Sequence, residues 1–222
     1  YRDPQSRSRR NMPSIVGTAP GEEPMIWPVG VGVKIPAGSE LVWQVHYTPT
    51  GKVEKDRSEV GLVFCKEPPQ RAARSSAAIN LFFRIPAGAD NHRVVSRKRF
   101  SKDVEILSLM PHMHLRGKDF QFVAHYPDGK SEILLSVPNY DFNWQHRYRF
   151  AEPLRVPKGT SIECIAHFDN SAGNDANPDP KKTVRWGDQT WEEMMIGFIN
   201  YIDAPAQPPK QTDEGQTDGG SQ

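Results

Sequence analysis

Val104-Glu105-Ile106-Leu107-Ser108-Leu109, running on into Met110-Pro111-His112-Met113-His114-Leu115-Arg116-Gly117, is the stretch from which the rest of the chain can be read. Residues 104–109 alternate as a strand does. Successive side chains of a strand point to opposite faces, so His112 and His114 project the same way. Two imidazoles on one face make half a metal site. Neutral imidazole suits copper, zinc, iron and nickel alike, so the pair does not name its metal, and His-x-His also describes two half-exposed histidines at a strand end.

Outward from this strand the text keeps one character. From Pro24 onward, short apolar segments are cut at close intervals by Pro, Gly and Asp, with 20 prolines and 17 glycines in all. Helices of ordinary length do not survive so many breakers, and the spacing is that of an all-β sandwich or barrel. Strands are predicted over 29–35, 40–47, 59–64, 77–85, 94–100, 104–113, 119–126, 131–137, 147–150, 161–168 and 191–201. Ile35-Pro36-Ala37-Gly38 and Ile85-Pro86-Ala87-Gly88 nearly repeat, and Val156-Pro157-Lys158-Gly159 is a looser third. Each can form a tight turn ahead of a strand, which suggests similar β units in tandem. Asp128-Gly129 between alternating runs is a hairpin cue. The polar bridge Lys66-Glu67-Pro68-Pro69-Gln70-Arg71 marks the boundary between two β blocks.

Composition narrows the function classes. The chain has 222 residues, 36% of them hydrophobic, and the average is lowered by polar ends that carry few large apolar residues. A net charge of +1 with acids and bases interspersed argues against nucleic acid or an anionic membrane as the main partner. Arg2, Arg7, Arg9 and Arg10 read as a solvated segment. No run of about 18 apolar residues exists, so no membrane-spanning segment is expected. The first residue is not Met and no secretory leader is visible, which suggests a mature, trimmed or incomplete chain. Cys65 and Cys164 are too few for a disulfide framework or a cysteine-built zinc site.

A metal on His112 and His114 needs a further donor. His125, His146, His167, Asp169 and the pair Met194-Met195 all qualify by residue type. A carboxylate or third imidazole favours zinc or non-haem iron, and a thioether favours copper. Spacing does not choose among them. In residues 40–47, Leu41, Trp43, Val45 and Tyr47 share one face and His46 lies on the other, where a lone histidine ordinarily has a structural role. The oxygen-rich loop 169–182 lacks the ligand spacing of an EF-hand and reads as a polar turn region.

Three separated motifs then fall in register. Val29-Gly30-Val31-Gly32 through Gln44-Val45-His46-Tyr47, then Met110-Pro111-His112-Met113-His114-Leu115-Arg116-Gly117, then Glu192-Glu193-Met194, resemble the copper type II ascorbate-dependent monooxygenases over about residues 24–202. That family includes peptidylglycine α-hydroxylating monooxygenase and dopamine β-hydroxylase. The resemblance implies antiparallel jelly-roll-like β-sandwich domains, each carrying one copper across a solvent-filled cleft. It implies that His112, His114 and Met194 hold the copper that binds O2 and faces a small-molecule substrate. It implies that His46 belongs to the electron-donating copper, with ascorbate or a similar one-electron reductant. The expected organisation is a flexible segment over 1–23, the closing strands of a first domain over 24–70, the substrate-side domain over 71–202 and a disordered tail over 203–222.

The departures from the family carry information too. Its electron-donating copper uses an adjacent His-His pair upstream of the position of His46, and no such dipeptide occurs in this chain. The expectation is therefore a C-terminal part whose missing N-terminal half completes that site. Where the peptidylglycine enzymes grip a peptide carboxylate with Arg, Asn and Tyr, this chain has Met110, Ile196 and Phe198, which implies a less polar substrate. Cys164 stands where the family has a half-cystine, but the partner position is Met195, so that bridge cannot form, a pattern closer to bacterial members. The resemblance implies a periplasmic or extracellular setting. Two other readings stand beside it: a non-catalytic β-sandwich that binds copper or a partner protein, and a cupin-like iron or zinc enzyme. The last wants a Glu shortly after the histidine pair, where only Asp119 is available.

Overall fold

A computed structural model of the chain describes residues 15–47 and 50–205. The described residues contain strands and no helix, as the density of breakers requires. In chain order the strands are β1 (Val31–Gly32), β2 (Arg71–Ala72), β3 (Arg74–Ile79), β4 (Arg84–Ile85), β5 (His92–Arg99) and β6 (Val104–His112). They continue with β7 (Gly117–His125), β8 (Ser131–Val137), β9 (Tyr148–Val156), β10 (Ser161–Phe168), β11 (Val184–Arg185) and β12 (Ile196–Asp203). Two antiparallel four-stranded sheets, ordered β5-β10-β7-β8 and β3-β12-β6-β9, form a sandwich. The short pairs β1-β2 and β4-β11 flank it.

The core lies between the two sheets. β6 contributes Val104, Ile106 and Leu109, β12 contributes Ile199, and from the facing sheet come Phe120, Phe122, Ala124, Ile162, Cys164, Ala166 and Phe168. Apart from the step from Ile106 to Leu109, these residues recur at every second position along their strands, the period of a sheet buried on one face. The repeated Pro-x-Gly phrases are the tight turns expected of them: Gly38, Gly88 and Gly159 all adopt positive φ, at 77°, 70° and 94°.

Several boundaries differ from the sequence reading. Residues 40–47 and 59–64 make no strand pairing among the described residues, because an alternating pattern fixes a strand's faces and not the neighbour that must accept its hydrogen bonds. The single strand expected over 77–85 is two, β3 and β4, parted where the Asn80 side chain turns back to accept from the Phe82 amide. Only Ile196 onward of the segment 191–201 is strand, and the residues before it form a loop touching Trp186 through Glu193. β2 and β11 are too short to leave a sequence pattern. Part of the segment expected to be flexible through residue 23 is seated on the sandwich, with Glu22 buried in an ion pair to Arg147. The remainder of that segment, 1–14, and most of the expected tail, 206–222, lie outside the described residues. No helix long and apolar enough to cross a membrane is present among the described residues.

Candidate metal centre

A single irregularity decides which way the histidines face. Along β6, Val104 and Ile106 point into the core, and strict alternation would send 108, 110, 112 and 114 inward as well. The register against β12 skips Leu107: Tyr201 pairs with Ile106 and Asn200 with Ser108. This β-bulge resets the phase. Leu107 packs outside the core with Val31 and Ile202, Leu109 and Met113 take the inward positions, and Met110, His112 and His114 are carried onto the outer face.

On that face the two imidazole rings lie 5.3 Å apart at 86° to one another. The Nδ1 atom of each ring meets a protein acceptor. His114 Nδ1 lies 3.2 Å from the Glu192 carbonyl, which only accepts, so Nδ1 carries the proton. His112 Nδ1 lies 2.6 Å from Gln145 Oε1, and the Gln145 amide nitrogen donates to the Phe142 carbonyl at 2.9 Å, so the glutamine oxygen faces the ring. Both rings therefore keep an Nε2 lone pair, and partners of this kind orient the histidines of metal sites. Burial lowers the His112 pKa from 6.5 to about 4, against the hydrogen bond that the ring donates to Gln145 and with smaller contributions from His114 and His46. His114 is lowered too, by burial first, opposed by the Glu192 and Gln189 carbonyls. Two neutral, oriented imidazoles result.

Glu193 fixes the end of β6. Its carboxylate accepts from the backbone amides of His114 at 2.8 Å and Arg116 at 2.7 Å, with the Arg116 guanidinium 4.0 Å away. Arg116 is itself buried and donates to Asn170 Oδ1 and the Trp191 carbonyl. Burial raises the Glu193 pKa from 4.5 to about 8, against the lowering effect of both amides and Arg116. Met194 is bracketed by these contacts: Glu193 is bonded to the His114 backbone on one side, and Ile196 pairs with His112 on the other. Met194 itself is half-buried in the loop just before β12, outside the strand pairing.

The same register arranges the surface beside the histidines in rows. Ile79, Ile196 and His112 form one, Ala77, Phe198 and Met110 the next, and Ser75, Asn200 and Ser108 the third. The three residues expected to line a substrate pocket thus share a face with the histidine pair, and Ile79 and Ala77 join them from β3. Arg147 reaches this face and donates to Met110 Sδ at 3.3 Å, but its charge is matched by Glu22. A cavity of about 400 Å³ adjoins the third row, lined among others by Trp27, Leu107, Ser108, Arg147 and Asn200.

His46 is exposed, with its Nε2 3.2 Å from the Gln44 amide nitrogen, yet close enough that a charge on its ring disfavours protonation of both His112 and His114. The remaining candidate donors are engaged elsewhere, except that the buried Nδ1 of His146 has no hydrogen-bond partner. His167 pairs with Asp119 at 2.6 Å and His125 with Glu163 at 2.9 Å, all on the other sheet. Asp169 accepts from the Ser171 amide, and His146 stacks on Trp144. Met195 turns into the core, where its sulfur accepts from Ser96 Oγ at 3.1 Å; the same hydroxyl bonds Cys164, and both cysteines are free. The residues that orient the imidazoles, Gln145 and Glu193, carry no local signal of that role, although Glu193 stands beside Met194 in the motif.

Two neutral imidazoles suit copper, zinc, iron or nickel, and a thioether joining them would favour Cu(I) over hard cations. No protein-family model matches the chain.

Proposed function

We propose that this chain is the substrate-side part of a copper-dependent monooxygenase, hydroxylating a C–H bond of an uncharged small molecule. His112, His114 and Met194 would hold the copper, and His46 would belong to a second, electron-donating copper. The observation that carries this reading is the pair of imidazoles on one face of the sheet, 5.3 Å apart and edge-on, each with its Nδ1 against a protein acceptor. Bound copper supplies one-electron redox chemistry and activation of O2, with ascorbate or a similar donor as reductant. The overall balance is one C–H bond, O2, two electrons and two protons to one C–OH and one water.

The chain's own residues perform the rest. Gln145 and the Glu192 carbonyl keep the rings in one tautomer, and Glu193 fixes the backbone that carries His114. Met110, Ile196, Phe198 and Ile79 offer apolar contact beside His112, and no unmatched cation is among these rows. A carboxylate leaving water would find no ion pair there, which favours a neutral substrate. The setting proposed with this chemistry is outside the cytoplasm.

The test is copper loading of the full chain beside His112→Ala and Met194→Ala, with O2 uptake under ascorbate. One copper per chain in the parent and its loss or weakening in both variants is expected; equal loading in all three rules the site out. A non-catalytic copper-binding module is the second reading, favoured by residues 33–47 and 50–64, around His46, which make no strand pairing among the described residues. It predicts the same loading with no uptake when the rest of the protein is supplied.

A further inference from the structure

We propose that Pro20-Gly21-Glu22 is a positioning strap for His112, acting through Arg147 and the loop that carries Gln145. Gln145 is almost fully buried and is the residue that holds the His112 Nδ1 proton. Its side chain is fixed within its own loop by the Phe142 carbonyl, but its backbone amide donates to the Pro20 carbonyl at 2.8 Å. Gly21 is pressed onto the same loop. A Cβ there would come within 3.0 Å of the Asn143 carbonyl and 3.1 Å of the Trp144 Cα, and its φ of +83° is one that L side chains rarely adopt. Glu22 Oε1 then accepts from Arg147 Nε at 3.0 Å and Nη2 at 2.6 Å, both side chains being largely buried. Arg149 continues the attachment by donating to the Pro24 carbonyl at 2.9 Å.

These contacts bind the two sides of Gln145, its amide and the arginine two residues on, to a segment more than 120 residues earlier in the chain. Nothing else among the described contacts of residues 143–147 reaches so far back. Glu22 and Arg147 are positioning residues: they touch Gln145's loop and Met110, not the candidate metal position. The effect on copper rests on the reading of His112 as a ligand, whereas the effect on the imidazole does not.

Nitrogen-15 NMR of the full chain without metal, near neutral pH, reads the tautomer of each histidine, and competition with a Cu(I) chelator reads affinity. In the parent, His112 and His114 are both Nδ1-protonated. Glu22→Ala and Gly21→Ala are expected to drop the Nδ1–H fraction of His112 below half while leaving His114, held by Glu192, unchanged. Cu(I) affinity should fall about tenfold, the lower end of the range for loss of a residue supporting a ligand. Adding Arg147→Ala to Glu22→Ala should change neither readout further, because the pair acts as one unit. Glu22→Gln, which keeps the shape and one hydrogen bond, should show a smaller change in the same sense and serves if Glu22→Ala does not fold. Arg97→Ala, which breaks an ion pair on the other sheet, controls for general loosening. An unchanged His112 tautomer in the strap variants, or equal movement of His112 and His114, overturns the proposal. Absence of copper binding in the parent, with the tautomer shift present, sinks the copper reading and leaves the strap intact.

Discussion

His112 is a buried base that the fold keeps neutral, and this has a consequence for stability. Its pKa is depressed from 6.5 to about 4, so between those values the unfolded chain binds the proton that the folded chain refuses. Stability is therefore complete above about pH 6.5 and is lost as pH falls towards 4, by up to about 3 kcal/mol from this group. Urea unfolding of the parent beside His112→Asn from pH 7 to pH 4 should show that loss as the difference between the two, since His114, which acts in the same sense, and Glu193, which acts in the opposite one, are common to both. Gly197 is a second position where one atom matters. It faces the core from β12, and an added Cβ would come within 2.3 Å of Cys164 Sγ and 2.8 Å of the Phe122 ring. Gly197→Ala should cost about 1 to 3 kcal/mol of unfolding free energy, the range for overpacking a filled core. An unchanged denaturation midpoint would mean that the Phe122 ring and the Cys164 thiol can both retreat.

At the scale of elements, β6 and the loop before β12 are joined by Glu193 more than by strand pairing. Its carboxyl oxygens satisfy two backbone amides that pairing leaves open and lie 4.0 Å from the buried Arg116 guanidinium. Removing it leaves both amides unsatisfied in a buried position. Glu193→Ala should destabilise the chain by about 2 to 5 kcal/mol, about 1 to 3 for each donor left without a partner. A loss under about 1 kcal/mol, measured by chemical denaturation, would show that neither amide is left without a partner. The β6 bulge acts on the same strand in another way. Were Leu107 to pair in regular alternation instead of bulging out, the phase set by Val104 and Ile106 would send His112 and His114 into the core.

Across the whole molecule, a sandwich of two four-stranded sheets holds the candidate centre on its outer face, beneath a long amino-terminal segment. That segment meets the sandwich at Glu22, at Trp27 and Val31 beside Leu107 and Ile202, and again where His46 comes within electrostatic range of the histidine pair. Between those points its apolar side chains stand in solvent, with Trp43 51% and Tyr47 67% exposed. The alternating residues 40–47 pair with no strand among the described residues. The candidate centre thus depends on contacts from residues far apart in the chain: Gln145 on His112, Glu192 and Glu193 on His114, and the strap on Gln145.

The amino-acid order by itself determined the all-β class, the Pro-x-Gly turns, the strands β5, β6, β7, β8 and β10 with only the start of β9, and the shared face of His112 and His114. All of these follow from local geometry: fixed φ at proline, permitted φ at glycine, and a period of two along a strand. Tertiary structure alone decided that the shared face is the outer one, since a one-residue bulge has no signature in alternation that continues on both sides of it. It also decided which acceptor holds each imidazole proton, and that His125, His167 and Asp119 belong to the other sheet. Those are matters of which distant strand or loop comes to lie beside which, and they are set by packing the two sheets over one core.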